Sequence, residues 1–171
     1  MGKIRRAAAS LVALAVVAGC GGGDDGPTGP DGPDIRGTYT GTHTFSIQIA
    51  DNPPIDLRCP GGIIVTSSRG GFFSGSLRID PCPQLEVEAP ISTTLSGTVQ
   101  SDGNVRFVVI GQGALVEGLQ EEGCELIEAD EAFTGTVQAA TFSASLQARV
   151  RCQDVEGDVL VTWAFQGSST S

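Results

Sequence analysis

From Thr38 onward apolar and polar residues alternate with a period of two. Tyr39, Gly41, His43, Phe45, Ile47 and Ile49 occupy one face; Thr38, Thr40, Thr42, Thr44, Ser46 and Gln48 occupy the other. A 3.6-residue helix cannot keep such a series on one side, whereas a strand does so automatically. The alternation recurs over residues 73–79, 91–100, 105–109, 133–137, 142–150 and 159–165. Shorter strands are expected near 63–66 and 125–129, for about eight or nine in all. No stretch carries convincing helical periodicity. The gaps at 67–71, 101–103, 139–140 and 156–158 are short and turn-like, which favours hairpins between sequence neighbours. The expected fold is all-β: an antiparallel up-and-down barrel, with a β-sandwich as the alternative.

A repeated short form points to the barrel. Phe73-Ser-Gly-Ser-Leu77, Leu95-Ser-Gly-Thr-Val99 and Phe133-Thr-Gly-Thr-Val137 each place glycine at an inward position between two apolar residues. Glycine weakens a strand interior, so its recurrence implies sharp coiling or close packing. The aromatics Tyr39, Phe45, Phe73, Phe107, Phe133, Phe142, Trp163 and Phe165 all fall on the inward face. They either fill the barrel or line an apolar pocket. Tyr39, His43, Phe45 and Trp163 are the candidate ligand contacts in the second case.

The chain before the first strand has a different character. Lys3, Arg5 and Arg6 precede an uncharged run over residues 7–17, and small residues then lead into Cys20. That order is a secretory signal, and the apolar run is too short to span a bilayer, which takes about 20 residues. Val17-Ala18-Gly19-Cys20 resembles the lipobox of bacterial lipoproteins. The resemblance implies cleavage before Cys20, a diacylglyceryl thioether on its sulfur and acylation of the new amino terminus. Two or more acyl chains hold a protein stably on a membrane. Gly21 stands where enteric-type inner-membrane lipoproteins carry aspartate, which leans the expected location towards the outer membrane. Residues 20–34 are almost entirely Gly, Pro and Asp. Nothing there offsets the entropy of ordering, so a tether is expected. The organisation is thus a signal over 1–19, a lipidated tether over 20–34 and a barrel domain over 35–171.

Removing residues 1–19 leaves seven arginines against twenty acidic residues, a formal charge of −13. Such a chain repels nucleic acid and anionic headgroups, so the lipid on Cys20 is the expected hold on the membrane. With Cys20 assigned to lipid, Cys59, Cys82, Cys124 and Cys152 form an even set in an exported chain, read as two disulfides. Four cysteines allow three connectivities, and the hairpins favour one. A turn near Arg69 pairs residues whose numbers sum to about 138, and Cys59 and Cys82 sum to 141. A turn at Ala139-Ala140 pairs residues summing to 279, and Cys124 and Cys152 sum to 276. The expected bridges are Cys59–Cys82 and Cys124–Cys152.

Gly37-Thr38-Tyr39 at the head of the first strand resembles the opening of calycin-type barrels, the lipocalin and avidin-like group, with tyrosine where that group has tryptophan. The resemblance implies an eight-stranded meander around a cavity for a small apolar ligand. Catalytic signals are few. His43 is the sole histidine, and no G-x-S-x-G elbow occurs. Ser74, Ser76, Ser96 and Thr98 sit in plain strand alternation and are expected outward. Glu117, Glu121, Glu122, Glu125, Glu128, Asp130 and Glu131 form the densest charged patch, without the ligand order of an EF-hand. Glu86 and Glu88 are expected outward, opposite Leu85 and Val87. No enzyme, metal or cofactor is expected. The expected role is a lipid-anchored envelope module that is structural or binds a protein partner; the alternative is a calycin-like carrier of a small apolar ligand.

Overall fold

The computed structural model describes residues 32–85, 87–110 and 123–169. They form nine strands and one 3-10 turn. The strands are β1 (Gly37–Ile49), β2 (Ile55–Arg69), β3 (Phe72–Ile79), β4 (Ile91–Val99), β5 (Asn104–Ile110), β6 (Cys124–Ala129), β7 (Phe133–Gln138), β8 (Thr141–Cys152) and β9 (Asp158–Ser169); the turn is Pro83–Leu85. Every pairing is antiparallel. β1 to β5 pair consecutively, β5 pairs with β7, β7 with β8 and β8 with β9. β9 returns to β1 over eleven residue pairs, from Tyr39↔Ser169 to Ile49↔Val159, and the sheet closes. Eight strands form this barrel, and closure removes the open edges that would invite pairing with other chains.

The ninth strand, β6, prolongs the wall. β7 pairs with Thr141–Ser145 of β8, and β6 pairs with the same strand farther along, from Ala148 to Cys152. β6 and β7 thus lie end to end on β8, interrupted at residues 130–132. Asp130 repairs the ladder at that interruption. Its backbone N–H donates to the Gln147 carbonyl at 2.9 Å, and its carboxylate accepts from the Gln147 N–H at 2.8 Å.

The strands follow from the alternation, and inward residues of β1, β8 and β9 are buried at nearly every second position. Ile91 departs from it. It was expected inward but is 40% exposed; β3 pairs with it through Ile79, and among the described residues β5 joins β4 only from Thr94 onward. β2 is also far longer than the expected 63–66. Its first half contains Pro60, whose carbonyl accepts from the Asp80 N–H at 2.9 Å. A strand residue points its N and C=O to the same side, so the missing N–H faces the point where β3 ends, a position that tolerates proline. Residues 67–69, expected in a turn, continue β2. The turn itself is Gly70-Gly71, with φ of 59° and 75°. Both values lie in the left-handed region that a type I′ hairpin turn demands and glycine adopts without strain.

The repeated glycines sit where adjacent strands press together. A Cβ on Gly135 would lie 1.9 Å from the Ser143 carbonyl oxygen, and one on Gly97 would lie 2.5 Å from the Phe107 Cβ. Gly97 stands between Phe73 and Phe107 in register. Its empty position lets those two rings approach to 6.1 Å.

Loops complete the core at both ends. At the upper end, marked by the Gly70-Gly71 turn, residues 32–36 cross towards β1. Ile35 is 2% exposed, its N–H donates to Ser68 Oγ, and its carbonyl accepts from the Tyr39 hydroxyl at 2.9 Å. The last three residues of the expected tether, 32–34, therefore already lie against the barrel: Gly32 abuts the Val99 carbonyl and Pro33 accepts a bond from Ser68. At the lower end the Pro83–Leu85 turn buries Leu85 completely. The bridge Cys59–Cys82 holds that turn to β2, with Cα atoms 5.3 Å apart. The second bridge, Cys124–Cys152, joins directly opposed residues of β6 and β8 at the same end.

Candidate functional site

The four residues expected to contact a ligand all face the barrel interior, but only His43, Phe45 and Trp163 are neighbours; Tyr39 lies towards the upper end, against Phe142. Tyr39, His43 and Phe45 project inward from β1, and Trp163 from β9. Register places His43 opposite Phe165 and Phe45 opposite Trp163. All four are buried. His43 and Trp163 belong to a closed circuit of rings. Phe107 stacks on Phe133 at 5.0 Å, and Phe133 meets Trp163 edge-on at 4.3 Å. Trp163 stacks on His43 at 5.4 Å, and His43 meets Phe165 at 4.8 Å. Phe165 and Phe142 are 6.2 Å apart, and Phe142 returns to Phe107 at 6.0 Å. Tyr39 and Phe73 attach at the margin. These spacings lie within the 4.5–7 Å typical of favourable aromatic pairs, except Phe133–Trp163, which is slightly closer. An eight-stranded barrel is about wide enough for its own side chains to fill, and here aromatic rings cross it from wall to wall.

His43 is the polar member of that circuit. It is fully buried, and its Nε2 lies 2.9 Å from the Arg78 carbonyl oxygen. A carbonyl accepts only, so Nε2 carries the proton and donates. Nδ1 then holds a lone pair with no partner among the described residues. Burial pushes the imidazole pKa down to about 4, opposed by the bond to the Arg78 carbonyl and by the charge of Asp80. The ring is neutral at physiological pH. Gly61 makes room for it: a Cβ there would sit 2.7 Å from Nε2 and 2.2 Å from the Arg78 oxygen. This cradle was not anticipated from sequence, though Gly61 follows a proline in a strand where neither residue is expected. Among the described residues, the buried His43 has the Arg78 carbonyl as its one hydrogen-bond partner.

The remaining expected sites divide cleanly. Cys20, the signal and residues 20–31 of the tether lie outside the described residues, as do Glu86, Glu117, Glu121 and Glu122. Glu88 is exposed, as expected. Glu125 and Glu128 lie on β6, Asp130 mends the ladder beside it, and Glu131 pairs with Arg106 at 2.9 Å. Among the described residues no three His, Cys, Asp or Glu side chains converge as a metal site.

A feature not anticipated lies on the outer wall. Thr98, Gln100, Asn104, Arg106, Thr134, Thr136 and Ser145 border a concavity of about 530 Å³ across β4, β5, β7 and β8. Register aligns Thr98, Arg106, Thr134 and Ser145 in one cross-strand row. The outward hydroxyls of the Ser-Gly-Thr and Thr-Gly-Thr repeats were the available signal, but only the register joins them. No protein-family model matches this chain, and no curated protein matches it in sequence.

Proposed function

We propose that this chain is an exported lipoprotein, anchored through Cys20, whose barrel acts by its outer surface as a structural or protein-interaction module of the cell envelope. The observation that carries the outward-acting part is the circuit of aromatic rings through His43, which occupies the space a ligand carrier would keep open. The lipobox at Val17–Cys20, the Gly/Pro/Asp tether and two disulfides support export and anchoring. The tether meets the barrel at its upper end, which brings that end nearest the lipid. The outer membrane is the favoured location, from Gly21 after the cysteine.

The test is the intact mass of full-length protein extracted from the membranes of a diderm bacterium. The expected species begins at Cys20, carries a diacylglyceryl group and an amide-linked acyl chain, and is four protons lighter than its reduced form. Cys20→Ser should appear in the soluble fraction. An unmodified Cys20 in membrane-extracted protein would overturn the anchoring.

The calycin-like carrier remains the second reading. It draws on the same eight-stranded meander and on the unpartnered His43 Nδ1, a buried acceptor that a ligand donor could satisfy.

A further inference from the structure

We propose that the concavity on the outer wall is a binding site for an uncharged glycan strand. The inference deepens the reading of the barrel as an outward-acting module and rests on it. Its volume, about 530 Å³, falls within the range of small-molecule sites. The lining is what a polyol needs. Hydroxyl and amide groups each donate and accept, so one face of a sugar can meet several of them in either sense. Among the described residues, Thr98, Gln100, Thr134 and Ser145 make no side-chain hydrogen bond and keep that capacity for a ligand. Phe72 supplies the apolar counterpart. It is directly opposite Thr98 in register, so it shares the outer face, and it is 50% exposed. The row therefore runs from an exposed ring, through hydroxyls, to Arg106 and on to Thr134 and Ser145.

Charge selects the neutral class. Arg106 is the sole cation in the lining and is compensated by Glu131 at 2.9 Å. The mature chain carries a formal charge of −13, which repels anionic polymers. A polyanion would thus find no uncompensated positive group here. An uncharged sugar avoids that repulsion and gains hydrogen bonds to both partners of the ion pair. The site is an open groove on a barrel wall rather than an enclosed pocket, so it accommodates an internal stretch of a chain as well as its end.

The experiment is a ¹H–¹⁵N NMR titration of the exported Cys20→Ser chain with triacetylchitotriose and with cellotriose. Shifts should concentrate at Thr98, Asn104, Arg106, Thr134 and Ser145 and be insensitive to salt. Thr134→Val removes one hydroxyl at nearly constant shape and should weaken binding roughly fivefold. Phe72→Ala removes the exposed ring without touching the core and should weaken it by a similar, roughly fivefold, factor. Silence with both sugars overturns the proposal, as does tighter binding of trigalacturonate. Broadening of the same resonances only by an envelope protein fraction would assign the wall to a protein partner and overturn it too. Shifts confined to Phe45 and Trp163 would overturn the outward-acting reading itself. Lipidation does not enter the measurement, so failure of the anchor and failure of the glycan site are separately visible.

Discussion

Acidification should destabilise this barrel through one buried side chain. His43 is neutral and buried, with its pKa lowered from 6.5 to about 4 in the folded protein. Between those values the unfolded chain holds a proton that the folded chain does not. Stability is therefore complete above about pH 6.5, falls as pH drops through the window and levels below about 4. The difference is about 2.5 pKa units, and at about 1.4 kcal/mol per unit the loss approaches about 3–4 kcal/mol. Asp34 acts elsewhere. The Arg36 guanidinium holds its carboxyl down to about 2, so any loss from that group begins below pH 3.8. Urea denaturation at half-unit pH steps from 7.5 to 4 measures the slope. His43→Gln, which does not titrate, should be less stable at pH 7.5 but flatter through the window. The same slope in both proteins would refute the assignment of the loss to His43.

Phe107 touches Phe73, Phe133 and Phe142, so Phe107→Ala should destabilise by about 3–5 kcal/mol, read from denaturant midpoints. Replacing both Cys124 and Cys152 with serine frees a 28-residue separation; chain entropy assigns that bridge about 3.5 kcal/mol, visible as a lowered thermal midpoint. Gly135→Ala forces a methyl against the Ser143 carbonyl and should cost about 1–3 kcal/mol, whereas an alanine at outward Thr134 should change stability little.

Much of the architecture was legible because it rests on local alternation. β1, β3, β8 and β9 begin and end close to where the period-two pattern does. What escaped depended on neighbours. Pro60-Gly61-Gly62 fell outside the strand expected at 63–66, yet it is strand because β3 ends beside Pro60 and His43 fills the space above Gly61. The expected disulfide register for Cys124 and Cys152 was three residues off. One part of that offset is the interruption at residues 130–132, and the other is the bulge between Leu126 and Glu128. The Cys59–Cys82 offset comes mainly from the turn, which lies at Gly70-Gly71 rather than near Arg69, with a one-residue shift back at the bulge between Val65 and Ser67. Alternation also identified the inward aromatics but not whether they met. That required the eight-strand closure, which brings Phe107 on β5 and Phe165 on β9 to the same ring of contacts around Phe142. The outer groove was hidden for a related reason: its row crosses four strands, and no single stretch of sequence contains it.

The most direct test of a filled interior is native mass spectrometry of the exported Cys20→Ser chain incubated with an envelope lipid extract. A bare mass, four protons below that of the reduced chain, is the predicted result: two disulfides around a core with no guest. A discrete apolar adduct, retained by the native chain and lost in Trp163→Glu that still folds, would contradict it. The barrel would then be a carrier.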